Sequence, residues 1–169
     1  MRRTLVLFVS LILLWALTSQ INDALAAVRI YLFVGGLFVA FAALTQPKRE
    51  GLAASMLGGL ICDANSPVTF GTHMLLFAAA LLTLHHVRDR IPRDDNVATI
   101  VVVLLTNLAL FLVFSFGQIH DSPVPTAVWP RLIADLAGSQ IFLVLITPWF
   151  FALQAGMLAL ARVPREDPA

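Results

Sequence analysis

Polar sequence is scarce in this chain. Charged residues make up 12% of its 169 positions, against about 25% in a soluble domain. Polar stretches are confined to short loops, so no soluble catalytic domain fits. Cys62 is the single cysteine, which rules out an intramolecular disulfide, and no Cys/His spacing suggests a metal. It lies in an apolar run and reads as a small buried side chain. There is no glycine-rich phosphate loop, no His-Glu metal helix and no carboxylate pair at catalytic spacing. Met56, Met74 and Met157 are scattered and form no thioether stripe. The sequence therefore argues against an enzyme, and no cofactor is expected. A net charge of +1 spread over short segments makes no nucleic-acid patch.

Apolar sequence dominates instead, at 59% hydrophobic residues and a mean hydropathy of +0.88. The few basic residues are distributed unevenly. Of the eleven, Arg2, Arg3, Lys48, Arg49, Arg88, Arg90, Arg93, Arg162 and Arg165 fall in one alternate set of segments between apolar runs. Only Arg29 and Arg131 sit at the opposite ends. Basic loops stay on the cytoplasmic side of a membrane. The pattern predicts an all-α integral membrane protein, a single transmembrane domain over residues 1–169, with six crossings and both termini cytoplasmic. Arg2-Arg3 before the apolar run 5–17 resembles a secretory signal, with Ala24-Leu25-Ala26 as a cleavage site. The triplet lies far past the run, and a retained first helix keeps the charge alternation in phase.

Helices are expected at about 4–18, 25–45, 51–62, 70–87, 97–116 and 130–161. Residues 18–23 read as a polar outer turn, and Pro47 ends the second helix. Gly35-Gly36 falls in the middle of that helix, where small residues permit close helix contact. The third run is short, and it ends in the helix-stopping cluster 63–67. Irregular polar backbone at membrane depth needs cover from protein or a water-filled cavity. This segment is therefore expected in the outer half of the membrane, inside the bundle. The inner loop with Pro92, Asp94 and Asp95, the outer loop 117–128 and the tail 162–169 complete the chain.

Asp63 is the first candidate functional residue. A lone carboxylate at membrane depth costs a few kcal/mol and should face a partner or polar cavity. It can equally cap its own loop by accepting backbone N–H groups within 64–70. Arg29 and Arg131 lie on the same side and are its candidate ion-pair partners. Asp135 follows Arg131 by one turn, so those two can pair with each other. His73 and Asn65 flank the Asp63 turn, and His73 reads most simply as a structural hydrogen-bonding residue. Asn107 and Gln140 lie inside helices, as inter-helix hydrogen-bonding groups or as the lining of a ligand pocket.

The run Gly58-Gly59-Leu60-Ile61-Cys62-Asp63, followed by Pro67, Gly71 and His73, resembles the rod-shape-determining membrane protein family MreD. The likeness extends to chain size, the basic N-terminus, the inner turn before a Gly/Ala-rich third helix, the basic loop after the fourth, and Pro148 in the last helix. The polar turn 63–66 departs from the more apolar, glycine-rich turn frequent in that family. The resemblance implies a non-enzymatic inner-membrane subunit of the bacterial cell-elongation machinery, supporting peptidoglycan synthesis. Its implied partners are MreC, the MreB filament, a RodA-type glycan polymerase and a class B penicillin-binding transpeptidase, besides membrane lipid. It also implies a six-helix bundle like the substrate-binding subunits of energy-coupling-factor transporters. The second reading is accordingly such a vitamin-type subunit, with a pocket built from Asp63, Asn65, His73, Asn107 and Gln140. The small-residue face at Gly35-Gly36 is the expected MreC contact.

Overall fold

The computed structural model describes residues 2–65, 69–91, 96–120 and 125–161. Among them are six α-helices and no strand. They are α1 (Arg2–Leu25), α2 (Gly35–Thr45), α3 (Lys48–Ala64), α4 (Thr72–Val87), α5 (Asn96–His120) and α6 (Pro125–Leu160). Ser66 and Pro67 of the predicted turn, the loop residues Pro92, Arg93, Asp94 and Asp95, residues 121–124 and the tail 162–169 lie outside the described residues.

The first helix is longer than expected and the second much shorter. No Gly or Pro occurs before Gly35, so nothing in the backbone chemistry stops α1 at Thr18. Its polar residues stay helical: the Thr18 hydroxyl donates to the Leu14 carbonyl at 2.7 Å. The helix ends through a short 3-10 turn, Ala26–Val28, and Arg29 in the left-handed region at φ 57°. The Ile30 N–H then donates back to the Leu25 carbonyl at 3.4 Å, closing the end as a left-handed cap does. Residues 30–34 carry no helix, and α2 begins only at Gly35. The predicted helix 25–45 is thus a helix end, an extended segment and a helix of 11 residues.

α2 is short but central. Eight of its 11 residues are buried, as expected for a helix that is apolar all round. Phe38 and Phe41 form the middle of the larger core with Leu7, Leu11, Val103, Leu143 and Phe150. Phe41 meets Phe150 and Phe151 edge-on, at ring separations of 5.8 and 5.0 Å. α3 and α4 form a closely packed antiparallel pair. A Cβ on Gly59 would overlap the Met74 backbone, so glycine is what lets the two helices approach. Pro47 separates α2 from α3 as expected, and α3 begins directly after it.

Among the described residues, three helical stretches are long and apolar enough to cross a membrane: Thr4–Val28, Asn96–Gly117 and Trp129–Leu160. At ~1.5 Å per residue, the 11, 17 and 16 residues of α2, α3 and α4 reach ~16, ~26 and ~24 Å, short of a ~30 Å hydrocarbon core.

Candidate functional site

Polar groups concentrate at the end of the bundle where α1, α3 and α5 finish and α2, α4 and α6 begin. The extended segment 30–34 lacks helical bonds, so its backbone groups need partners from elsewhere. Side chains of three helices provide them. Asp135 Oδ1 accepts the Tyr31 N–H at 2.7 Å, and Ser139 Oγ accepts the Phe33 N–H at 2.9 Å. Asn22 Oδ1 accepts the Leu32 N–H at 2.7 Å while its Nδ2 donates to the Leu32 carbonyl at 3.0 Å. This reproduces the pairing a neighbouring strand would give. Asn107 Nδ2 donates to the Phe33 carbonyl at 3.0 Å, and its Oδ1 accepts the Gly36 N–H at 3.1 Å.

Asp63 performs a similar task at α4. Its side chain is fully buried. Oδ1 accepts the His73 N–H at 2.8 Å and faces the His73 ring Nδ1 at 2.9 Å. Oδ2 accepts the Gly71 N–H at 3.0 Å and the Met74 N–H at 3.2 Å. The first N–H groups of a helix have no partner within it, and they favour negative charge. One carboxylate from α3 therefore caps α4. The expected donors in 64–70, and Arg29 or Arg131, are replaced by Gly71, His73 and Met74. The open N–H groups of α4 converge beyond its end, where a single carboxylate reaches several at once. His73 donates through Nδ1 to the carboxylate, which leaves Nε2 as the ring's other polar atom. The ring stacks on Phe114 at 4.2 Å.

The remaining candidates divide between local and inter-helix roles. Arg131 Nε lies 3.9 Å from Asp135 Oδ2. Asn65 Nδ2 donates to the Ile61 carbonyl at 2.8 Å, within its own helix end. Gln140 Nε2 donates to the Leu104 carbonyl at 3.2 Å, joining α6 to α5, while its Oε1 is buried without a hydrogen-bond partner. Arg29 is exposed. Gly36 is buried inside the bundle, where a Cβ would overlap the Asn107 backbone, and Gly35 is half-buried on the cavity wall, where a Cβ would crowd Phe33 and Phe77. At Gly36 that face is occupied by α5, which leaves no surface there for a partner.

A cavity of about 480 Å³ opens at this end. Asn65 and His73 line it, together with Thr18, Tyr31, Ser115, Arg131 and Asp135. Asp63, Asn107 and Gln140 of the expected pocket do not line it; Asn107 and Gln140 bond backbone groups within the bundle, and Asp63 bonds backbone groups and the His73 ring. Asn22 and Ser139 are functional positions that sequence reasoning missed. Asn22 falls in the stretch that reads as a polar turn, whereas Asp135 and Ser139 at i,i+4 on an apolar helix form a polar stripe that spacing does reveal. Among the described residues, no three His, Cys, Asp or Glu side chains gather to hold a metal.

No curated protein and no solved structure matches the chain. The family model described as rod shape-determining protein MreD matches residues 1–156. With the match covering nearly the whole length, and three apolar helical stretches among the described residues able to span a bilayer, the chain belongs to the rod-shape-determining membrane protein family MreD.

Proposed function

We propose that this protein is a non-enzymatic subunit of the bacterial cell-elongation complex, scaffolding peptidoglycan synthesis through contacts with MreC. The observation that carries this reading is the family match over residues 1–156. The architecture supports it: the described chain is almost entirely apolar helix, so its work is done by contacts within or beside the bilayer. The MreB filament, a RodA-type polymerase and a class B transpeptidase act with it, directly or through MreC. Placement in the inner membrane with both termini cytoplasmic follows from the basic segments. In a six-crossing arrangement the second crossing is made in two pieces, since five extended residues at ~3.3 Å each add ~16 Å to α2. Deleting the gene should give rounded cells, and MreC should co-purify with the tagged protein.

A second reading, a vitamin-type substrate-binding subunit of an energy-coupling-factor transporter, is favoured by the cavity of about 480 Å³, within the ~300–1,000 Å³ of ligand pockets. Rod-shaped deletion cells that lose uptake of one vitamin would establish that reading instead.

A further inference from the structure

The cavity is graded from polar to apolar along the bundle axis. Thr18, His73 and Ser115 line it nearest the end, and all three are buried. One helical turn deeper on the same helices, Leu14, Phe77 and Phe111 line it. Its rim carries Arg131, whose side chain is 67% exposed. The guanidinium approaches Asp135 only through Nε, at 3.9 Å, and Asp135 Oδ1 is already bonded to the Tyr31 N–H. An exposed guanidinium held by one long contact keeps N–H donors for a further ligand, and its planar fork suits a phosphate.

The depth of this cation follows from α6. Trp129 is exposed and opens the apolar stretch Trp129–Leu160. Tryptophan concentrates at membrane interfaces, so the start of this stretch marks one of them. Arg131 follows Trp129 by less than one turn, which puts it at headgroup depth, with the apolar walls below it at acyl-chain depth.

We propose that the cavity holds a phosphate-bearing membrane lipid, its phosphate on Arg131 and the upper part of one acyl chain between Leu14, Phe77 and Phe111. The polar ring and the apolar floor match the two halves of such an amphiphile, and the rim cation matches its charge. The site is independent of whether the protein scaffolds wall synthesis.

Trp15 lines the cavity and can report on it. The experiment uses the full chain in detergent with Trp129→Phe and Trp149→Phe, leaving Trp15 as the fluorophore, titrated with phosphatidylglycerol carrying brominated acyl chains. Saturable quenching is expected, with about tenfold weaker apparent affinity in Arg131→Ala, the scale of losing a charged hydrogen bond. Arg131 is exposed, so the variant should keep its thermal midpoint, which is measured alongside. Brominated diacylglycerol, which lacks phosphate, should bind as weakly to the parent as phosphatidylglycerol does to the variant. Inorganic phosphate at millimolar concentration should not displace the lipid. Quenching that never saturates overturns the proposal and leaves the cavity to a partner helix or a soluble ligand. Equal binding of the two lipids overturns the phosphate contact, and displacement by inorganic phosphate makes it a site for the free anion.

Discussion

Asn107 Oδ1 accepts the Gly36 N–H at 3.1 Å, and the same approach brings the Asn107 backbone to where a Gly36 Cβ would stand. The hydrogen bond and the missing side chain are one contact: α5 reaches the start of α2 only because residue 36 is glycine. This contact also fixes where the extended segment ends and the central helix begins.

Gly36→Ala should therefore destabilise the bundle by about 1–3 kcal/mol, the range for overpacking a close-fitting interior. Gly36→Leu should abolish accumulation in the membrane. Gly156→Ala is the control, because a Cβ there meets nothing within 4 Å. Thermal midpoints in detergent and protein levels in membranes check both. Normal levels of Gly36→Leu with loss only of a partner would contradict the internal placement.

Asn107→Leu keeps the volume roughly constant and removes both polar atoms. It orphans the Gly36 N–H and the Phe33 carbonyl, at about 1–3 kcal/mol for each buried group. Hydrogen exchange at Gly36 should accelerate at least tenfold, while amides in the middle of α6 stay protected.

Asp63→Ala should be more damaging than Asp23→Ala. Asp63 is buried and receives backbone N–H groups of Gly71, His73 and Met74, whereas Asp23 is exposed. Hydrogen bonds to a charged group are worth roughly 1.5–3 kcal/mol each. Asp63→Asn keeps an acceptor but turns an amide toward N–H donors, so it should fall between wild type and alanine. A thermal midpoint for Asp63→Ala within a degree of Asp23→Ala would refute the cap.

Asn22→Ala leaves both backbone groups of Leu32 unpaired. The expected result is faster exchange of the Leu32 and Phe33 amides and a lower midpoint by roughly 2 kcal/mol equivalent. Gln20→Ala, on the same helix turn, should have little effect.

Topology is open to a direct test. Reporter fusions at Glu50, Asn96 and the C-terminus should read cytoplasmic, and a fusion at Ser122 should read external. A C-terminus on the outer side would overturn the six-crossing arrangement.

The sequence by itself determined the class of the protein and its punctuation. Apolar composition and the alternating basic segments required membrane helices, and Pro47 marked the break between α2 and α3. The placement of α3, α4, α5 and α6 followed from apolar run lengths, to within a few residues at most ends. Asp63 and Asn107 stood out because a polar side chain at membrane depth has to be satisfied. The tertiary structure alone decided what satisfies them, and it decided the break at residues 30–34. Locally, 25–45 is apolar apart from Arg29 and holds no proline to stop a helix, while the β-branched, aromatic and glycine residues of 30–36 only weaken one. The helix is interrupted because Asn22, Asn107, Asp135 and Ser139 converge from three other helices and take over the backbone groups that a helix would have paired internally. These partners lie up to 106 positions away in the chain, so no local window shows what replaces the helical bonds. The cavity is decided in the same way, since its walls are helix faces that neighbour one another only after the bundle has formed.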